Sequence, residues 1–137
     1  MGNTALALTG LVAWYLLLLG LIWGQRAFLT VAAGRPANSF ATDGADVSAF
    51  SQRLCRAHAN LLEGFPYLAV PLLLALATGQ AQITDDLACV LLGARVLQST
   101  VHLFSVSVIA VQLRFTFFLA QWGIAVYWVY GFLTMGS

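Results

Sequence analysis

Arg53-Leu54-Cys55-Arg56-Ala57-His58-Ala59-Asn60-Leu61-Leu62-Glu63-Gly64-Phe65-Pro66 runs straight into Tyr67-Leu68-Ala69-Val70-Pro71-Leu72-Leu73-Leu74-Ala75-Leu76-Ala77. The second half is apolar enough for hydrocarbon, and the first half carries three charges and an amide to its edge. On an α-helix, Arg56, Asn60 and Glu63 fall at i, i+4 and i+7 and share one stripe. A charge inside a membrane is expensive unless it is paired or faces water, so such a stripe marks either an internal ion pair or a site.

Outward from this stretch, the composition sets the class. The chain has 137 residues, 61% hydrophobic and only 8% charged, whereas soluble domains carry about a quarter charged residues. A chain this short cannot bury that much apolar surface in one core. An all-α integral membrane protein is the expectation. All six basic residues are arginine and the net charge is +1, which gives no sign of a nucleic-acid partner. Arginine is the planar, bidentate partner of carboxylates. Cys55 and Cys89 have neither disulfide nor metal-ligand spacing, and no metal site is expected.

Four segments reach the roughly 20 residues needed to span a bilayer. They are expected at about 4–26, 47–78, 85–111 and 114–135, in a single domain covering the chain. Gly34 to Ala45 is the one sizeable loop and Gly79 to Thr84 a short turn. Thr84 is an expected N-cap, with Asp85 and Asp86 in the first turn of the third helix, where acids suit the helix dipole. Pro66 and Pro71 fall inside the second helix and predict a kink or local unwinding. Arg26, Arg35, Arg53 and Arg56 flank the first loop, and Arg114 lies at the expected join of helices three and four. The positive-inside rule therefore places loops one and three in the cytoplasm and both termini on the opposite side.

Two readings of the second-helix stripe stay open. Arg53 and Arg56 can snorkel while Glu63 holds an arginine in an ion pair. Alternatively, the stripe lines a pocket for a ligand with carboxylates and an amine, each taken by the opposite charge, with the Asn60 amide on a peptide group. The third helix carries a second stripe: Arg95, Gln98, Ser99 and His102, at i, i+3, i+4 and i+7. Arg95 lies near mid-membrane and needs an anion, and Glu63 is the one carboxylate within the apolar part of a helix. His58 falls on a different face from the Arg56 stripe. Arg114 is either an interfacial anchor or a cation that lowers the pKa of a bound thiol. The aromatics of the fourth helix, Phe115 to Phe132, read as interfacial belts or lipid-facing packing.

Arg56-Ala57-His58-Ala59-Asn60-Leu61-Leu62-Glu63 resembles the Arg-Ala-x-x-Asn-x-x-Glu signature of the MAPEG family, the membrane-associated proteins in eicosanoid and glutathione metabolism. Arg26-Ala27-Phe28, Gly93-Ala94-Arg95 and Gln112-Leu113-Arg114 are similar to family segments in the same order. The resemblance implies a four-helix bundle assembled as a homotrimer, with glutathione held between subunits and a lipophilic substrate approaching from the membrane lipid. It implies glutathione contacts from Arg56, Asn60, Glu63 and Arg95, and from Gln98 and His102 at positions where family members carry tyrosine. Arg53 joins this set, and Arg26 lies near the substrate mouth. Arg114 corresponds to the arginine that stabilises the glutathione thiolate for transferase or peroxidase chemistry. Rival expectations are a non-catalytic lipid-binding scaffold of the same fold, or a small structural or transport bundle.

Overall fold

The computed structural model describes residues 1–135. Four long helices follow one another: α1 (Asn3–Ala33), α2 (Ala49–Ala77), α3 (Asp85–Phe104) and α4 (Val108–Met135), with one short 3-10 turn, Ala81–Ile83, before α3. Each is long and apolar enough to cross a membrane. Lipid-scale exposure accompanies them: Leu16, Leu73, Ile109 and Leu133 are each more than half exposed, which water would penalise and hydrocarbon does not.

Helix ends explain where the sequence-based boundaries shift. α1 continues seven residues past Arg26, because Ala27 to Ala33 contain no breaker. It stops at Gly34, whose left-handed backbone (φ 68°) closes the helix onto Leu29 O. Arg26 is thus not a helix end. At about 1.5 Å per residue, α1 outreaches the roughly 30 Å hydrocarbon layer. α3 ends at Phe104 rather than 111. Ser105 turns extended, its Oγ takes the Ser107 N–H at 3.2 Å, and Ser107 Oγ accepts from Ala110 N at 3.2 Å. Ser107 is therefore the N-cap of α4, so Arg114 lies inside α4 and not at the join. α2 opens on Ser48, whose Oγ accepts from Ser51 N at 2.9 Å, and it stays helical through both Pro66 and Pro71.

Thr84 stands at the start of α3 but makes no side-chain cap. Its hydroxyl meets that of Thr4 at 2.6 Å. Asp85 faces α1 instead, accepting from Thr4 N at 3.0 Å and Thr4 Oγ1 at 2.6 Å. The acid thus caps the free N–H groups of α1 and fastens the starts of α1 and α3 together. At the opposite end, the first loop is closed by the ion pair Arg35–Asp46. Burial pulls the Asp46 carboxyl upward, but the Ala41 N–H and the Arg35 guanidinium outweigh it and leave its pKa below the ordinary value.

Two apolar clusters fill the bundle. Ala7, Leu11, Leu68, Leu72, Ala88, Leu91 and Trp128 pack near the Asp85 end. Leu18, Ile22, Leu54, Cys55, Ala57, Leu61 and Leu103 pack near the arginine-rich end. Trp128 is fully buried and departs from the lipid-facing role expected of the α4 aromatics, whereas Phe115, Trp122, Tyr127 and Tyr130 are exposed as expected. Between Leu91 and Leu103, the buried residues of α3 are Ala94, Arg95, Gln98, Ser99 and His102. The two greasy layers are thus separated by a polar one.

Candidate functional site

The polar layer is organised by Arg95, which is 1% exposed. Its Nε donates to Gln121 Oε1 at 2.8 Å, its Nη1 to Asn60 Oδ1 at 2.7 Å, and its Nη2 to the Tyr67 hydroxyl at 3.4 Å. The Gln121 amide donates to Gln98 Oε1 at 2.7 Å and to Phe117 O at 2.8 Å. Gln98 Nε2 returns to Asn60 Oδ1 at 3.3 Å. Arg95, Gln121, Gln98 and Asn60 therefore form a closed ring that ties α2, α3 and α4 together. Hydrogen bonds of this kind offset the cost of burying polar groups in a low-dielectric interior.

Of the two readings left open by the sequence, the Arg95–Glu63 ion pair is not formed. Among the described residues the one ion pair is Arg35–Asp46, and the three nitrogens of Arg95 are met by neutral oxygens. Complementary charge suggested Glu63, but each of the three guanidinium nitrogens instead meets an amide or hydroxyl oxygen within hydrogen-bond distance. Space for the guanidinium comes from Gly64: a Cβ there would lie 2.7 Å from Arg95 Nη2 and 3.2 Å from the Tyr67 hydroxyl.

Glu63 is consequently free for other work. It lines a groove of about 460 Å³ together with Arg56, Asn60, His102 and Arg114. A smaller cavity of about 210 Å³ adjoins it, sharing Asn60 and Glu63 and adding Gly64, Tyr67, Arg95 and Phe118. Arg56 and Glu63 are exposed along this groove. Arg114 is half-buried, and its Nε is buried with no hydrogen-bond partner among the described residues. A buried guanidinium N–H without an acceptor is costly unless something else supplies one. One face of the bundle therefore gathers two arginines with no carboxylate partner among the described residues, one free carboxylate, a primary amide and a histidine. Beyond Tyr67 and Pro66, between α2 and α4, lies an apolar groove of about 550 Å³ walled by Val70, Trp122, Val126 and Val129.

Two expected contributors lie elsewhere. Arg53 donates from Nε to Leu103 O at 2.7 Å and so satisfies a carbonyl at the C-terminal end of α3. Arg26 donates to Ala41 O at 3.1 Å and sits over the Trp23 and Phe40 rings at 5.3 and 5.8 Å. Neither lines the groove. His58 faces α1, with its ring 5.0 Å from that of Tyr15. Gln121 and Tyr67 were not singled out from the sequence, although both were findable. Gln121 is the one amide in the apolar run of α4 that follows Thr116, and Tyr67 extends the 56, 60, 63 stripe by four residues.

Four helices long and apolar enough to span, with a polar layer at mid-bundle, are the architecture of an integral, multi-pass membrane protein. The chain matches the MAPEG family model over residues 4–134 and belongs to that family, which includes glutathione-dependent transferases along with other members. No curated protein and no solved structure matches it.

Proposed function

We propose that this protein is a glutathione-dependent membrane transferase or peroxidase for lipophilic electrophiles. The single observation that carries the reading is the groove holding Arg56, Asn60, Glu63, His102 and Arg114, in which no protein anion meets either arginine. Glutathione has the complementary set: two carboxylates, one ammonium, peptide groups and a thiol. Arg56 takes a carboxylate as a charge-assisted pair. Glu63, free of Arg95, takes the ammonium. Asn60 meets a carbonyl or carboxylate oxygen. Arg95 and Gln98 back the groove, and His102 closes one side.

Arg114 is the catalytic residue in this reading. When bound, glutathione supplies the thiol nucleophile that conjugates an electrophilic carbon or reduces a hydroperoxide. The half-buried guanidinium of Arg114, with its unmet Nε–H, favours the charged sulfur over the neutral one and lowers the thiol pKa toward neutrality. Such stabilisation is worth a few kcal/mol in a water-poor site. The apolar groove beyond Tyr67 suits a lipophilic co-substrate arriving from the bilayer. The groove lies open on the protomer surface, so a homotrimer would cover it and bring Arg26 and Arg53 of a neighbour within range. The arginine-rich end faces the cytoplasm on the positive-inside rule.

Ultraviolet thiolate absorbance during glutathione titration of the detergent-solubilised protein tests the assignment. The expected result is a rise in the wild type that disappears in Arg114→Ala, with an unchanged melting temperature. Saturable binding without any thiolate signal would point instead to a non-catalytic lipid-binding scaffold.

A further inference from the structure

The ring around Arg95 has a direction. An arginine side chain has donors and no acceptor, so the atom 2.7 Å from Arg95 Nη1 on Asn60 is its oxygen, and the one 2.8 Å from Nε on Gln121 is likewise an oxygen. Gln121 must then present its NH₂ to Gln98, which leaves Gln98 to present its own NH₂ to Asn60. Two donors thus converge on the Asn60 oxygen. The Asn60 NH₂ group has no hydrogen-bond partner among the described residues, and Asn60 lines both polar cavities.

We propose that Arg95, Gln98 and Gln121 are positioning residues that lock the Asn60 carboxamide with its NH₂ toward the groove. Asn60 then acts on a ligand as a donor alone and selects a carboxylate or carbonyl oxygen at that point. An unrestrained asparagine can rotate to meet either a donor or an acceptor; this one cannot. The ammonium of a zwitterionic ligand is thereby excluded from the Asn60 position and left to Glu63, so the ring sets the direction in which the ligand lies along the groove. The assignment of the groove to glutathione is borrowed from the proposed function, whereas the locked amide follows from the ring itself.

Asn60→Asp tests this, because a carboxylate keeps the acceptor that Arg95 and Gln98 require and removes the donor facing the groove. Without ligand, the variant should melt at or above the wild-type temperature, while Asn60→Leu melts below it. Glutathione affinity, measured by isothermal titration, should fall about tenfold or more for Asn60→Asp, as expected for a lost hydrogen bond to a charged group. A ligand-free Asn60→Asp protein that is clearly less stable than wild type overturns the proposal, as does wild-type affinity in that variant. Gln121→Leu should weaken glutathione binding in the wild-type background but add nothing in Asn60→Ala, since it acts through Asn60. Equal effects in both backgrounds would overturn its role. If the wild type fails to bind glutathione at all, the proposed function falls, and the ligand-free melting comparison still decides the amide orientation.

Discussion

Gly64→Ala is a one-carbon test of the polar layer. The added Cβ would sit 2.7 Å from Arg95 Nη2 and 3.2 Å from the Tyr67 hydroxyl, inside the range real carbons avoid. A flexible side-chain end could normally retreat, but this guanidinium is 1% exposed and pinned by Gln121 at 2.8 Å and Asn60 at 2.7 Å. Retreat stretches those bonds, at about 1–3 kcal/mol for each buried polar group left unmet. Against this stands a helix-propensity gain of about 0.5–1 kcal/mol on replacing glycine by alanine. The net expectation is a loss of about 1–3 kcal/mol, seen as a lower melting temperature in detergent. Gly93→Ala, also on a spanning helix but with nothing within 4 Å, serves as the control and should be neutral or slightly stabilising. In an Arg95→Met background the Gly64→Ala penalty should vanish. A Gly64→Ala protein as stable as wild type, or an equal penalty without Arg95, would refute the reasoning.

Other outcomes follow from the same geometry. Thr4→Val keeps shape but strips the hydroxyl that meets Asp85 and Thr84; about 1–3 kcal/mol of stability should go, with glutathione affinity unmoved. Ser107→Ala removes the cap of α4 and should cost about 1 kcal/mol, read as faster amide exchange over the first turn of α4. Trp128→Ala empties the largest fully buried side chain, and a loss of about 3–5 kcal/mol is expected in denaturant titration. Arg53→Ala unpairs Leu103 O, which should loosen the end of α3 without abolishing the thiolate signal assigned to Arg114.

How far the fold could be read in advance depended on what each segment signals. The four spans were legible because apolar runs of membrane length have few alternatives. The join of α3 and α4 was misplaced because Val106, Val108, Ile109 and Val111 continue the apolar pattern across the break. The actual signal was Ser105 and Ser107, short side chains that satisfy a helix start. Of the site, Arg56, Asn60, Glu63, His102 and Arg114 were all legible as polar residues on apolar helices, and one groove gathers them. The pairing inside the bundle was not. Charge complementarity favoured Glu63 for Arg95, and spacing within one helix cannot reveal that Gln121 comes from another at hydrogen-bond distance. Arg53 and Arg26 were legible as cations flanking the first loop, but the carbonyls they reach, Leu103 O and Ala41 O, are set by the tertiary fold and not by local sequence.

The ring and both polar cavities draw on α2, α3 and α4 and take no atom from α1. α1 is fastened by the Thr4–Asp85 clasp at its start and otherwise mainly by apolar packing. The molecule therefore divides into a three-helix block that carries the polar network and α1, which joins it mainly through the apolar core. Substitutions on the exposed face of α1, such as at Leu16 or Leu17, can drift in size and shape with little effect on stability, while a single exchange at Gly64 or Gln121 disturbs the polar network. Tolerance to mutation should thus be strongly uneven between α1 and the rest, a pattern that a saturation scan scored for folding and for binding would lay bare.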